Sequence, residues 1–174
     1  MKPPLADRLR NIDVLILDVD GVLTDGTVIY TDAGQELQAF HVRDGCGLAL
    51  WRKAGKRSAI VTGRGSKALE RRASELSIQP VMQQIRDKAI AFAEVLQQLA
   101  IAPEKVAVVA DDLPDLPMMY RAGVAFAVGD ATLEVQAAAD LVMRNIGGRG
   151  AVREAVEVVL KAQGMWDELV RSFA

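Results

Sequence analysis

The chain has 174 residues, 51% of them hydrophobic and 25% charged, with Lys plus Arg at 21 against Asp plus Glu at 23. That length suits one domain with a full core, and the composition is that of an ordinary globular protein. A net charge of −2 excludes the basic excess of a nucleic-acid binder, and no apolar run approaches the ~20 residues of a membrane span. Residues 1–13 hold no apolar core of a secretory signal, and Cys46 is the only cysteine. An internal disulfide is therefore excluded, a reducing compartment suits the chain, and a cytoplasmic location is expected.

The first apolar run, Val14, Leu15, Ile16 and Leu17, reads as a central strand of a parallel sheet, buried on both faces. It ends on "DVDG". Side chains at i and i+2 of an extended chain share a side, so Asp18 and Asp20 are expected to project together, with Gly21 turning the chain. Two like charges placed side by side need a cation, a shared proton or exposure to water. Next come two strand-like pieces in 27–42, joined through "TDAGQE", which predict a hairpin flap over about 26–43. A helix in "DGCGLALWRKAG" should end at Gly55, followed by a buried strand over 57–61, "TGRGS", and a helix over 67–76. Residues 79–83 hold a shorter strand candidate, and 87–100 an amphipathic helix. "KVAVVA" at 105–110 is another apolar strand, ending on "DDLPD". Helices near 114–122 and 132–138 bracket a strand in "VAFAV", and "DLVM" is the last strand candidate. "GGRGAVREAVEVVLKAQG" predicts a closing helix, leaving a tail over about 164–174.

Strands alternating with helices imply right-handed crossovers and an α/β fold with a doubly wound parallel sheet. No repeat, low-complexity segment or linker divides the chain, so a single domain over 1–174 is expected. Ligands of such sheets sit beyond the carboxyl ends of the strands, where strand order reverses. Asp18 with Asp20, Thr62, and Asp111 with Asp112 each fall at that edge, so three strands deliver polar groups to one rim. Mg²⁺ takes oxygen ligands, often one or two carboxylates with water and phosphate, and Asp18 and Asp111 can supply them. A phosphate brought there would meet Asp18 as a nucleophile, giving an aspartyl phosphate. Asp20 could then protonate the leaving alcohol and later take a proton from water. Thr62 and Gly63 open "TGRG", where backbone N–H groups at a helix start suit phosphate oxygens, although a threonine there is more often an N-cap. Lys88 can neutralise charge on a transferring phosphoryl group, or can simply be solvated.

The series "DVDGVLTDG", "VTGR", Lys88 and "ADDLPD" resembles the four motifs of the haloacid dehalogenase-like phosphatases, in order and spacing, over most of the chain. The resemblance implies a Rossmann-like fold with Asp18 as nucleophile, Asp20 as general acid/base and Lys88 as the third catalytic group. It implies Mg²⁺ held by Asp18, the Asp20 backbone carbonyl and Asp111, and phosphate contacts from Thr62 and Lys88. Asp112 and Asp115 resemble supporting acidic residues. "FHVRDGCG", "IAPEKVAVVADDLPD" and "GGRGAVRE" further resemble the branch that dephosphorylates a phosphorylated eight-carbon sugar acid for lipopolysaccharide precursor synthesis. Two departures stand out: Ala110 where the family usually has glycine, and His41 with Cys46 in "HVRDGCG".

A substrate bearing phosphate and carboxylate needs local positive charge. Arg64, Arg149 within "GGRG", and more weakly Arg43 and Arg153 are the candidates, since a guanidinium fork matches both anions. The chain has no room for a cap domain, and the hairpin is the only insertion near Asp20. A hairpin alone is marginal, so pairing with hairpins of other subunits is expected, and the resemblance implies a homotetramer whose sites are completed by neighbours. Trp166, Leu169 and Phe173 of the tail read either as a final amphipathic turn or, as the resemblance implies, as a segment entering an adjacent site. His41 is expected to be structural, Cys46 a small buried side chain, and Met118 and Met119 core residues. The alternatives are a phosphatase of another small sugar-acid or nonulosonate phosphate, and a non-catalytic assembly module, against which intact Asp18, Asp20, Lys88 and Asp111 argue. A receiver-type signalling domain also pairs Asp with Mg²⁺, but an early D-x-D before a hairpin does not suit it.

Overall fold

The computed structural model describes residues 3–173. Residues 1, 2 and 174, the last of these in the expected tail, lie outside the described residues. The strands are β1 (Val14–Leu17), β2 (Ile29–Tyr30), β3 (Glu36–Leu37), β4 (Arg57–Val61), β5 (Val81–Met82), β6 (Val106–Ala110), β7 (Val124–Ala127) and β8 (Leu141–Val142). The helices are α1 (Leu5–Arg10), α2 (Val42–Lys53), α3 (Lys67–Leu76), α4 (Lys88–Leu99), α5 (Leu116–Met119), α6 (Leu133–Ala138), α7 (Ala151–Ala162) and α8 (Trp166–Arg171).

Six strands form one parallel sheet in the order β5-β4-β1-β6-β7-β8. Its centre, β1, is fully buried, and Ile16 lies opposite Ala59 on one side and Val108 on the other. Continuous apolar runs are required here because helices cover both faces: α2 packs with α3 and α7, while α4, α5 and α6 pack together. The chain runs outward from β1 through β4 to β5, then crosses to β6 and runs outward again to β8. Direction therefore reverses between β1 and β6, whose carboxyl ends carry Asp18 and Asp111.

The close seam between α2 and α7 explains two residues of "HVRDGCG". At Gly47 a Cβ would lie 3.1 Å from the Cα of Arg153, so α7 can approach only a bare backbone. The buried Asp44 carboxylate accepts from the N–H groups of Gly150 (3.1 Å) and Arg153 (2.8 Å), satisfying the start of α7 with a negative charge.

Several elements differ from the sequence expectation. The flap pairs over two residues per strand only, Ile29 with Leu37 and Tyr30 with Glu36, and α2 already begins at Val42. The helix expected near 114–122 splits into a 3₁₀ turn, Leu113–Asp115, and α5, with Pro114 and Pro117 each in a first turn where no N–H is needed. Cys46 faces solvent rather than the core, whereas Met118 and Met119 are buried. The tail forms α8, its Leu169 buried and Trp166 beneath the cations of Arg153 (5.0 Å) and Lys161 (5.3 Å). Leu169 and Trp166 thus give the tail an amphipathic turn packed on the same chain. Among the described residues no separate cap domain is inserted, and only the hairpin stands between β1 and α2.

Candidate active site

Beyond β1 the chain turns sharply, with the Val19 carbonyl accepting from the N–H groups of Val22, Leu23 and Thr24 at 3.2, 2.8 and 2.9 Å. Gly21 is required twice: its φ is +92°, and a Cβ there would run into the Asp111 carboxylate. Gly147 and Gly148 pack against the backbone of Gly21 and Thr24, so the glycines of "GGRG" serve the meeting of two loops. Arg149 is thereby carried to Asp25, 3.5 Å away.

At the end of β4, the buried Thr62 hydroxyl accepts from Arg64 N–H at 3.3 Å, and Ser66 caps α3 by accepting from Leu69 N–H at 3.0 Å. At the end of β6, Asp112 caps the 3₁₀ turn through Leu113 N–H (2.8 Å). Asp87 caps α4 through the N–H groups of Ala89 (2.9 Å) and Ile90 (3.2 Å), which places Lys88 in the first helical turn. A cation there opposes the helix dipole and is also buried. Two carboxylates hold it: Lys88 Nζ donates to Asp18 Oδ1 at 2.7 Å and to Asp115 Oδ1 at 2.6 Å.

Asp18, Asp111 and Asp115 offer carboxylate oxygens that all lie within 4.8 Å of one another. Three carboxylates against one ammonium leave an excess of two negative charges, which one divalent cation balances. Asp111 Oδ1 is buried and, among the described residues, has no hydrogen-bond partner. An oxygen donor left in that state fits a hard cation such as Mg²⁺. Burial pushes Asp111 up to about 8, aided by the charges of Asp18, Asp115 and Asp112. Burial likewise raises Asp18 to about 6, with Asp115 adding to the shift and Lys88 opposing it. Burial alone would lower Lys88, but Asp18 and Asp115 outweigh it and hold the ammonium above its ordinary value.

These shifts set a sign. Folded-state values above those of the unfolded chain mean that the native protein holds protons the unfolded chain has released. Without a divalent ion, stability should therefore fall as pH rises from about 4 to about 8. Mg²⁺ competes with those protons, so its stabilisation should be larger at pH 8 than at pH 5.5. Thermal melts of chelator-treated protein at both values, with and without Mg²⁺, read this directly; a Mg²⁺ shift independent of pH would contradict it.

Asp20 is half-buried, with Oδ1 accepting from Gln38 Nε2 at 3.2 Å and Oδ2 3.9 Å from Arg64 Nε. Arg64 in turn bonds Glu36 of the flap at 2.9 Å. A cavity of about 340 Å³ brings together Asp18, Asp20, Thr62, Gly63, Arg64, Lys88 and Asp111, along with Asp112, Asp115 and Arg86. Arg43 and Arg149 are not in it; they line a separate cavity of about 400 Å³ with Asn145 and Arg153. Larger clefts of about 680 and 900 Å³ contain none of the motif residues, so size alone does not locate the chemistry. Sequence reasoning missed Arg86 and Gln38. Arg86 had a usable signal, standing directly before the Asp87 cap; Gln38 had none, because its partners are remote in sequence.

A profile described as haloacid dehalogenase-like hydrolase matches residues 72–154. A 3-deoxy-D-manno-octulosonate 8-phosphate phosphatase of Escherichia coli (strain K12) is 48% identical over 161 residues, 92% of this chain and 86% of the relative. The crystal structure of the Yersinia pestis phosphatase of that name superposes with a TM-score of 0.92 at 43% identity, covering 94% of this chain and 88% of that one. The Moraxella catarrhalis phosphatase, solved with magnesium, phosphate and KDO, superposes with a TM-score of 0.95 at 38% identity over 97% of both chains.

Proposed function

This chain belongs to the 3-deoxy-D-manno-octulosonate 8-phosphate phosphatase family of haloacid dehalogenase-like hydrolases, and from that premise we infer its reaction. It is a phosphatase that hydrolyses 3-deoxy-D-manno-octulosonate 8-phosphate (Kdo 8-phosphate) to Kdo and inorganic phosphate, with Mg²⁺ as cofactor, in lipopolysaccharide precursor synthesis. The observation that carries the reading is the group at the switch point: Asp18 and Asp115 joined by buried Lys88, beside an Asp111 oxygen without a partner.

Asp18 and Asp111 would hold the ion, together with the Asp20 backbone carbonyl as the family resemblance implies. The ion would shield the carboxylates from an incoming phosphate and polarise a phosphate oxygen. An Asp18 carboxylate oxygen attacks phosphorus as the ester bond to the sugar oxygen breaks, and Asp20 gives its proton to that oxygen. Asp20 then takes a proton from water, whose oxygen attacks phosphorus and releases Asp18 and inorganic phosphate. Lys88 keeps Asp18 in place and offsets charge on the transferring group. Thr62 and Gly63 lie at the rim where phosphate oxygens would sit, with Arg64 and Arg86 lining the same cavity. Asp115 positions Lys88, and also accepts from Asp111 N–H at 3.4 Å. An assay over a panel of phosphorylated sugars separates the close alternatives. Phosphate release from Kdo 8-phosphate should exceed that from other sugar phosphates, including a nonulosonate phosphate, and should stop on chelation; preference for another ester would overturn the substrate.

The whole chain acts as one phosphatase domain in the cytoplasm, where an exposed single cysteine is kept reduced. The flap exposes Val28, Ile29, Tyr30 and Leu37, with Val42 just beyond, an apolar set that pairing of flaps in a homotetramer would cover. Arg43 and Arg149 line the other cavity of their own chain, and in the assembly they would meet substrate across a subunit boundary. Sedimentation at assay concentration should give a tetramer; a fully active monomer would defeat the assembly.

A further inference from the structure

The hairpin does more than stand over the site. Gln38, one residue beyond β3, donates through Nε2 to Asp20 Oδ1 at 3.2 Å, and its Oε1 accepts from the Ser66 hydroxyl at 2.5 Å. Ser66 is itself fixed, since its oxygen caps α3 and its N–H donates to Gln83 at 2.8 Å. A hydroxyl already accepting from Leu69 has its proton left for Gln38, which sets the amide so that its NH₂ faces the carboxylate. Glu36, two residues earlier and on the same side of the returning strand, holds Arg64. The flap is thus tied to the rim at i and i+2, and one tie ends on the proposed acid–base group.

We propose that Gln38 is a positioning residue that fixes the Asp20 carboxylate, occupying Oδ1 and presenting Oδ2 to the ester oxygen. The proposal rests on the phosphatase reading above. Its consequence depends on the leaving group. A sugar alkoxide needs a proton as the ester bond breaks, whereas a nitrophenolate leaves without one. Comparing kcat/KM, which ends at the first irreversible step, isolates this half of the reaction from the later attack by water.

Kdo 8-phosphate and p-nitrophenyl phosphate are assayed side by side with Mg²⁺. Gln38→Leu should lower kcat/KM for Kdo 8-phosphate by about ten-fold or more and for the aryl ester by less than about three-fold, a part of the roughly 10²–10⁴-fold that a general acid contributes. Gln38→Lys keeps a donor toward Asp20 and should recover most of the loss. Ser66→Gly, which retains an acceptable helix cap while releasing the amide, should move the ratio of the two substrates in the same direction and covers the case in which a Gln38 variant does not fold. Equal losses on both esters, or no loss, would overturn the role of Gln38. Wild-type protein that cleaves neither ester would instead overturn the phosphatase reading itself.

Discussion

Asp18→Asn should fold and should lose turnover by at least about 10⁴-fold, the scale on which a nucleophile's removal is felt. The side chain is nearly isosteric, its oxygen can still accept from Lys88, and β1 before it is untouched. What disappears is an oxygen able to form a bond to phosphorus and be released again. One carboxylate fewer also relieves the repulsion around Asp111, so the pH dependence of stability without Mg²⁺ should flatten in the same variant. Turnover within ten-fold of wild type would remove Asp18 from the mechanism.

Lys88→Met should be nearly as damaging to activity and more damaging to the fold. Lys88 is 6% exposed and lies between two carboxylates at hydrogen-bond distance. Truncating one partner of a buried ion pair typically costs about 3–5 kcal/mol, because the other charge stays buried and uncompensated. Loss of one preorganised donor to the transferring group typically lowers kcat by about 10²–10³-fold. The destabilisation has a pH signature. Asp18, already raised by burial, can take up a proton once the ammonium is gone, so the melting temperature of the variant should recover as pH falls from 8 to 5.5. A deficit that stays constant over that range would mean that Lys88 contributes packing rather than charge.

The parts of the fold legible in the sequence were those where burial leaves one reading. β1, β4 and β6 are apolar runs because both faces are covered, and each stops where polar side chains begin, which is the rim. Those ends carry Asp18, Thr62 and Asp111, and the three line one cavity in the structure. α1 was not legible: it is six residues long and only Leu9 is buried, too little pattern to announce a helix. Arg43 and Arg149 show a different limit. Residue type and neighbouring glycines suit an anion, but the sequence does not show that Gly147 and Gly148 pack against the 21–25 loop, where Arg149 meets Asp25, or that Arg43 and Arg149 line a cavity other than the one holding Asp18. The contact of Asp115 with Lys88 is not legible in the sequence, because only the fold shows Lys88 turning inward to meet it.

The most direct test traps the covalent step. Wild-type protein is mixed with Mg²⁺ and Kdo 8-phosphate, quenched in acid during turnover, and treated with borohydride, which reduces an aspartyl phosphate to homoserine. Peptide mass analysis should then find homoserine at position 18 and nowhere else, and none when Mg²⁺ or substrate is withheld. Phosphate release at full rate with Asp18 unmodified at every quench time would contradict the mechanism.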